Sequence, residues 1–115
     1  MLQKLRTIIY HCEDLAAAKE WYTCVTGIQP YFDEPFYVGF NINGFELGLD
    51  PDMEGVQVGN HTVAYWQVAS AREAVDHFLA AGASLVQDVT NVGGPIQVAV
   101  LADPFGNHIG VIEGA

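Results

Sequence analysis

Four histidines, two cysteines and fourteen acidic residues are the side chains of this chain that could ligate a metal or move a proton. Cys12 and Cys24 do not form a CxxC pair. They stand at the start and end of one predicted helix and point to different places, so both are assigned to packing. His77, with Asp76 beside it on a second predicted helix, is assigned to the surface. His11, His61, His108 and Glu46 fall on predicted strands. An imidazole and a carboxylate brought together can act as base and acid on a carbonyl substrate. Two imidazoles and one carboxylate at a common depth form a set suited to iron or zinc. The elements that carry these residues decide between such outcomes.

Hydrophobic period and turn signals divide the chain into two similar halves. The first opens with a strand over Leu5 to His11 and continues into a helix with Asp14 as its N-cap. That helix runs through Trp21-Tyr22 and stops at Gly27, where glycine can take the left-handed conformation. Strands are expected near Gln29 to Asp33, over Phe36 to Ile42 and over Phe45 to Asp50, with Asn43-Gly44 as a hairpin turn. The second half repeats the plan. Its strand covers His61 to Val68, and its helix starts at Ser70 with Glu73 completing a capping box. The helix is expected to bury Ala74, Val75, Phe78 and Leu79 and to end at Gly82. Strands near Ser84 to Asp88, over Ile96 to Ala102 and over His108 to Glu113 complete it. Without gaps, Thr7 falls on Val63, Ile9 on Tyr65, Asp14 on Ser70 and Tyr22 on Phe78. A second frame lays Gly44 to Leu49 over Gly106 to Val111. The reading is one domain over 1–115: a module over 4–50, a linker over 51–60 and a second module over 61–113.

Composition narrows the partners. Half of the 115 residues are hydrophobic and 16% are charged, enough apolar surface for a core. Four basic residues against fourteen acidic ones leave a net charge of −10, which repels a phosphate backbone and excludes nucleic acid as a partner. The same charge suits a cationic small ligand, or simply solubility. No hydrophobic run is long enough to span a bilayer, and Met1 is followed by Leu2-Gln3-Lys4 with no signal-peptide core, so no membrane and a cytoplasmic location are expected.

Two stretches carry a family pattern. Thr7 to Tyr22 resembles the first strand and helix of the vicinal oxygen chelate superfamily, the glyoxalase, bleomycin-resistance and extradiol-dioxygenase relatives, with Asp14-Leu15 at the helix start and Trp21-Tyr22 at an aromatic pair. Asp103-Pro104-Phe105-Gly106-Asn107, followed by His108 to Glu113, resembles that family's Asp-Pro-x-Gly-Asn hairpin and last strand. The resemblance spans essentially the whole chain. It implies an α+β fold of two tandem βαβββ modules, with curved mixed sheets around a shared cavity, helices outside, and a homodimer.

Relatives with enzymatic activity hold a divalent metal through one inward side chain on the first and last strand of each module. The metal takes two substrate oxygens and stabilises the charge that develops. Carried over, those positions are Thr7, Gly48, Val63 and Gly110. Glycine and valine offer no ligand atom and one threonine hydroxyl is a poor one, so no metal and no other cofactor is expected. A shift of register by two would put Glu46 in place of Gly48. The two glycines are expected either to floor an open cavity or to permit sheet curvature.

Strand alternation then assigns the lining. If the four lost positions face inward, so do Ile9, His11, Glu46, Asp50, His61, Tyr65, Gln67, His108 and Ile112. The candidate binding residues are Thr7, His11, Glu46, Gly48, His61, Val63, Tyr65, Gln67, His108 and Gly110. Tyr31, Phe32, Phe36, Tyr37 and Phe40 are read as ordinary sheet core, with a stacking wall as the alternative, and Trp66 is expected beneath a helix. The leading function is a metal-independent small-molecule binder of the bleomycin-resistance type, taking a cationic or aromatic compound. The alternatives are a lyase, isomerase or dioxygenase-type enzyme with a displaced His61, His108 and Glu46 site, and a structural subunit with a vestigial cavity.

Overall fold

Asp14 and Ser70 start the two helices as their chemistry predicts. The Asp14 carboxylate accepts from the Ala17 amide at 3.0 Å, and the Ser70 hydroxyl accepts from the Glu73 amide at 3.2 Å. Gly27 closes the first helix at φ 70°, a left-handed position that glycine occupies without a Cβ penalty. These caps and the turns between them set the element order in the computed structural model, which describes residues 1–60 and 62–114. His61, expected on a strand and in the site, lies outside the described residues. The chain divides into two compact units, Met1–Val56 and Gln57–Ala115.

The first unit contains β1 (Thr7–His11), α1 (Leu15–Thr26), β2 (Phe32–Glu34), β3 (Tyr37–Ile42) and β4 (Phe45–Asp50). The second contains β5 (Tyr65–Gln67), α2 (Ala71–Ala80), β6 (Ser84–Gly93), β7 (Ile96–Ala102) and β8 (His108–Glu113). Each unit is a βαβββ module with a four-stranded mixed sheet, ordered β1-β4-β3-β2 in one and β5-β8-β7-β6 in the other. In each, the first strand lies parallel to the last while the other pairs are antiparallel.

One face of each sheet is sealed by its helix. In the first module Tyr22 of α1 is fully buried, stacks on Tyr10 with ring centroids 5.8 Å apart and meets Phe40 at 6.5 Å. Val38, Leu47 and Leu49 share that core. In the second, Val75 of α2 packs with Ala99, Leu101 and Val111, supported by Ala74 and Phe78. Trp66 pairs in register with Val111 and so shares the helix-covered face, as strand parity predicts. Leu79 departs from expectation at 39% exposed. At about 100° per residue, the stripe of Ala71, Ala74, Val75 and Phe78 leaves Leu79 roughly a quarter turn off its centre. Cys12 is buried as expected, but Cys24 is exposed, two residues on from the inward Tyr22 and so turned away from the sheet.

Strand limits shift where backbone chemistry intervenes. β2 starts after Pro30, which has no amide to donate, and Phe36 sits in the turn after Pro35. β5 is shorter than predicted because Asn60 accepts from the Thr62 amide and bends the approach, although pairing continues through Gly110 to Ala64 and Val68 to Ile112. β6 runs five residues beyond Asp88 and takes three register irregularities against β7. The Asn43-Gly44 hairpin forms as predicted, with both residues at positive φ and the Asn41 side chain accepting from the Gly44 amide.

The Asp-Pro-x-Gly-Asn turn has a clear physical basis. Asp103 is 3% exposed. One of its oxygens accepts from the Phe105 and Asn107 amides at 2.9 and 2.8 Å, and the other from the Asn107 side chain at 3.1 Å. Gly106 supplies φ 93°, which lets the loop close within four residues.

Candidate functional site

The open face of the first module carries the densest polar chemistry among the described residues. The parallel register of β1 and β4 places Thr7 opposite Glu46 and Ile9 opposite Gly48. The β3–β4 hairpin places Gly39 opposite Gly48 and Asn41 opposite Glu46. Two glycines therefore lie side by side on the face away from α1. The tyrosines fold over them. A Cβ built on Gly48 would collide with the Tyr37 hydroxyl and lie 2.6 Å from Tyr37 Cζ; one built on Gly39 would lie 3.1 Å from Tyr31 Cε1.

Glu46 gathers the hydroxyls around it. Thr7 Oγ1 donates to Glu46 Oε1 at 3.0 Å and the Tyr37 hydroxyl donates to Oε2 at 2.8 Å. The Tyr31 hydroxyl reaches the same carboxylate. Arg6 Nη1 lies 4.0 Å from Oε1 and donates to Thr7 Oγ1 at 3.3 Å. Burial alone would push the Glu46 carboxyl up, but donation from Tyr37, Thr7 and Tyr31 outweighs it and holds the group below the usual carboxylate range. Burial, then donation to Glu46, pushes the Tyr37 phenol well above its ordinary value. Donation to Glu46 leads the same upward shift for Tyr31.

A testable pH dependence follows. Because the folded carboxyl titrates below its ordinary value of 4.5, Glu46 contributes stability that is fully present above that pH and lost as pH falls through the folded value. Denaturant titrations between neutral and acid pH should show a shallower acid loss in Glu46→Gln than in the wild type. Equal acid limbs would remove Glu46 from the account.

The remaining predicted site residues are spread out. His11 Nδ1 lies 2.9 Å from the Asp52 carbonyl, tying the end of β1 to the following loop, where Asp50 accepts from the Asp52 amide. In the second module Tyr65 pairs with Gly110, and a Cβ on Gly110 would lie 2.8 Å from both Tyr65 Cε1 and Val63 Cγ1. Gln67, opposite Ile112, is exposed. His108 is half-buried at the start of β8, with its ring near Gly59 of the preceding loop. Thr7, Glu46 and Gly48 are thus together on one sheet, and Val63, Tyr65 and Gly110 on the other.

Two expectations need correction. Gly48 and Gly110 do not open onto empty space, because aromatic rings fill the volume that a side chain would take. Nor are the five aromatics ordinary core: Phe40 alone is buried, while Phe32, Phe36 and Tyr37 form an edge-to-face series, with centroids 5.9 and 6.1 Å apart, and Tyr31 stands exposed. Sequence reasoning also missed Tyr31, Tyr37 and Gly39 as partners of Glu46. Their signal was present in the two-residue Asn43-Gly44 turn, which imposes the Gly39 to Gly48 register.

A family model described as a glyoxalase-like domain matches residues 7–112. The chain belongs to the glyoxalase-like domain family. This places it in the vicinal oxygen chelate superfamily that its sequence resembles. A glyoxalase/bleomycin resistance protein/dioxygenase family enzyme from Burkholderia phytofirmans has a TM-score of 0.81 at 19% identity, covering 96% of this chain and 98% of its own. A fosfomycin resistance protein from Listeria monocytogenes reaches 0.82 at 15% identity, covering 100% and 96%. A glyoxalase-related enzyme from Fulvimarina pelagi reaches 0.80 at 22% identity, covering 98% and 89%. At these identities the likeness is one of fold. No curated protein matches in sequence.

The divalent metal implied by the superfamily does not fit the residues of this glyoxalase-like domain. Gly48 and Gly110 offer no donor, Val63 is apolar, and the Thr7 hydroxyl is spent on Glu46. A carboxylate at position 48 would start inside the Tyr37 ring. Among the described residues no group of three or more His, Cys, Asp or Glu is placed to hold a metal ion. Of the displaced set, His61 lies outside the described residues, and Glu46 and His108 belong to different units.

Proposed function

We propose that this glyoxalase-like domain binds a small molecule without a metal, in the manner of bleomycin-resistance relatives, and that its guest is a cationic or aromatic compound held on the open face of the first module. The observation that carries this reading is the Tyr37 hydroxyl lying over Gly48 and bonded to Glu46, which puts a phenol and an ionised carboxylate where a metal-binding side chain would begin. A surface of tyrosine, phenylalanine and isoleucine around one carboxylate suits a partly apolar guest. The net charge of −10 favours a cation in the encounter. The same reading takes the protein to be a homodimer in the cytoplasm. Among the described residues no helix is long and apolar enough to cross a membrane.

The test is ligand-induced stabilisation with and without chelator. Protein purified without a metal-charged column is expected to carry well under one transition metal per chain. Its melting temperature should rise with members of a panel of cationic aromatic compounds, and the rise should be unchanged by EDTA. A shift that disappears with EDTA and returns with zinc, iron or nickel would overturn the metal-independent reading.

A further inference from the structure

Three hydroxyls converge on Glu46, and they are held to very different degrees. Thr7 sits within β1, paired along its length to β4. Tyr37 is wedged over Gly48 and against Phe32, with ring centroids 6.1 Å apart. Tyr31 precedes β2 and is 61% exposed. Its backbone is anchored, since its amide donates to the Gly39 carbonyl at 2.9 Å, but its ring merely rests on the bare face of Gly39. A side-chain rotation alone would therefore lift Tyr31 off. That motion would free a lone-pair direction on Glu46 and uncover a flat patch of backbone at Gly39. Beside it a recess of about 180 Å³ is already open, lined by Arg6, Tyr31, Asn41, Gly44, Phe45 and Glu46.

We propose that Tyr31 is a displaceable placeholder, and that the ligand enters by exchanging the Tyr31 hydroxyl for its own hydrogen-bond donor on Glu46 while its planar part lies on Gly39. This deepens the binding function proposed above and rests on it. A carboxylate that keeps donation from Thr7 and Tyr37 stays ionised when Tyr31 leaves, so the fitting donor is a positively charged planar nitrogen group such as an amidinium. A neutral amide supplies a weaker donor, and a carboxylate is repelled. Glycine at position 39 matters here because any Cβ would sit 2.9 Å from Glu46 Oε2 and occupy the surface on which the planar group lies.

The probes are benzamidine, benzamide and benzoate, of matched shape and differing charge, titrated by NMR of the amides of Gly39 and Glu46. Benzamidinium is expected to bind, benzamide at least tenfold more weakly, and benzoate undetectably. In Tyr31→Phe the ring remains but its competing donor is gone, so benzamidinium should bind about fivefold tighter, the net worth of one intramolecular hydrogen bond. Glu46→Gln, shown folded by its amide spectrum, should lose at least tenfold. Unchanged or weaker binding in Tyr31→Phe overturns the exchange, because a merely structural tyrosine would not improve affinity when truncated. Equal binding of benzamide and benzamidinium overturns the charge assignment. Failure of benzamidinium to bind wild type and Tyr31→Phe, while another compound of the panel still stabilises the protein in EDTA, overturns this inference and leaves the binding function standing.

Discussion

Gly48→Leu is expected to destabilise the protein by about 2–5 kcal/mol, the sum of overpacking and of a broken hydrogen bond to a carboxylate. The new Cβ would occupy the position of the Tyr37 hydroxyl and press on its ring carbons. A phenol has no flexible end to yield, so the whole ring must swing away. In leaving, it drops its 2.8 Å bond to Glu46 and its edge contact with Phe32. The cause is one residue pair, which makes the prediction separable from general intolerance of the sheet. Tyr37→Ala in the same molecule creates the space that leucine needs, so the double variant should be more stable than the sum of the two single losses by about 1 kcal/mol or more. Urea denaturation of the four proteins measures this directly. Additive losses would mean that Tyr37 does not occupy the face of Gly48.

Asp103→Ala should cost about 2–4 kcal/mol, and its cause lies in backbone groups instead of side-chain volume. Two amides and the Asn107 side chain donate to this buried carboxylate. Alanine removes all three acceptor contacts at once, in a turn whose backbone also closes through Asp103 to Asn107 at 2.8 Å. Asp103→Asn keeps one acceptor oxygen for the amides but sets a second NH2 against Asn107, so an intermediate loss is expected. Urea midpoints of the two variants should fall in that order. A change below about 0.5 kcal/mol in Asp103→Ala would show that water replaces the carboxylate and that the turn is held by Gly106 and Pro104 alone.

Much of the architecture was readable because its signals are local. A helix N-cap, a left-handed glycine, a two-residue hairpin turn and the Asp-Pro-x-Gly-Asn loop each act within four residues, and Asp14, Gly27, Asn43-Gly44, Ser70 and Asp103 all behave accordingly. The misplaced strand limits and the exposed Leu79 share one origin. They depend on where a neighbouring strand or a helix axis ends, which no single segment encodes.

Spacing and residue type alone determined that the chain repeats a βαβββ unit and that its metal-ligand positions hold Thr, Gly, Val and Gly, since strand parity and motif position need no partner. Tertiary structure alone decided what stands at those empty positions. Whether a glycine opens a cavity or shelters a ring depends on side chains arriving from other strands: Tyr37 from β3 over Gly48 on β4, and Tyr65 from β5 over Gly110 on β8. The same holds for Glu46. In sequence it was one of fourteen acidic residues, and its three hydroxyl donors come from positions 7, 31 and 37, brought to it only when β1, β3 and β4 pair in register.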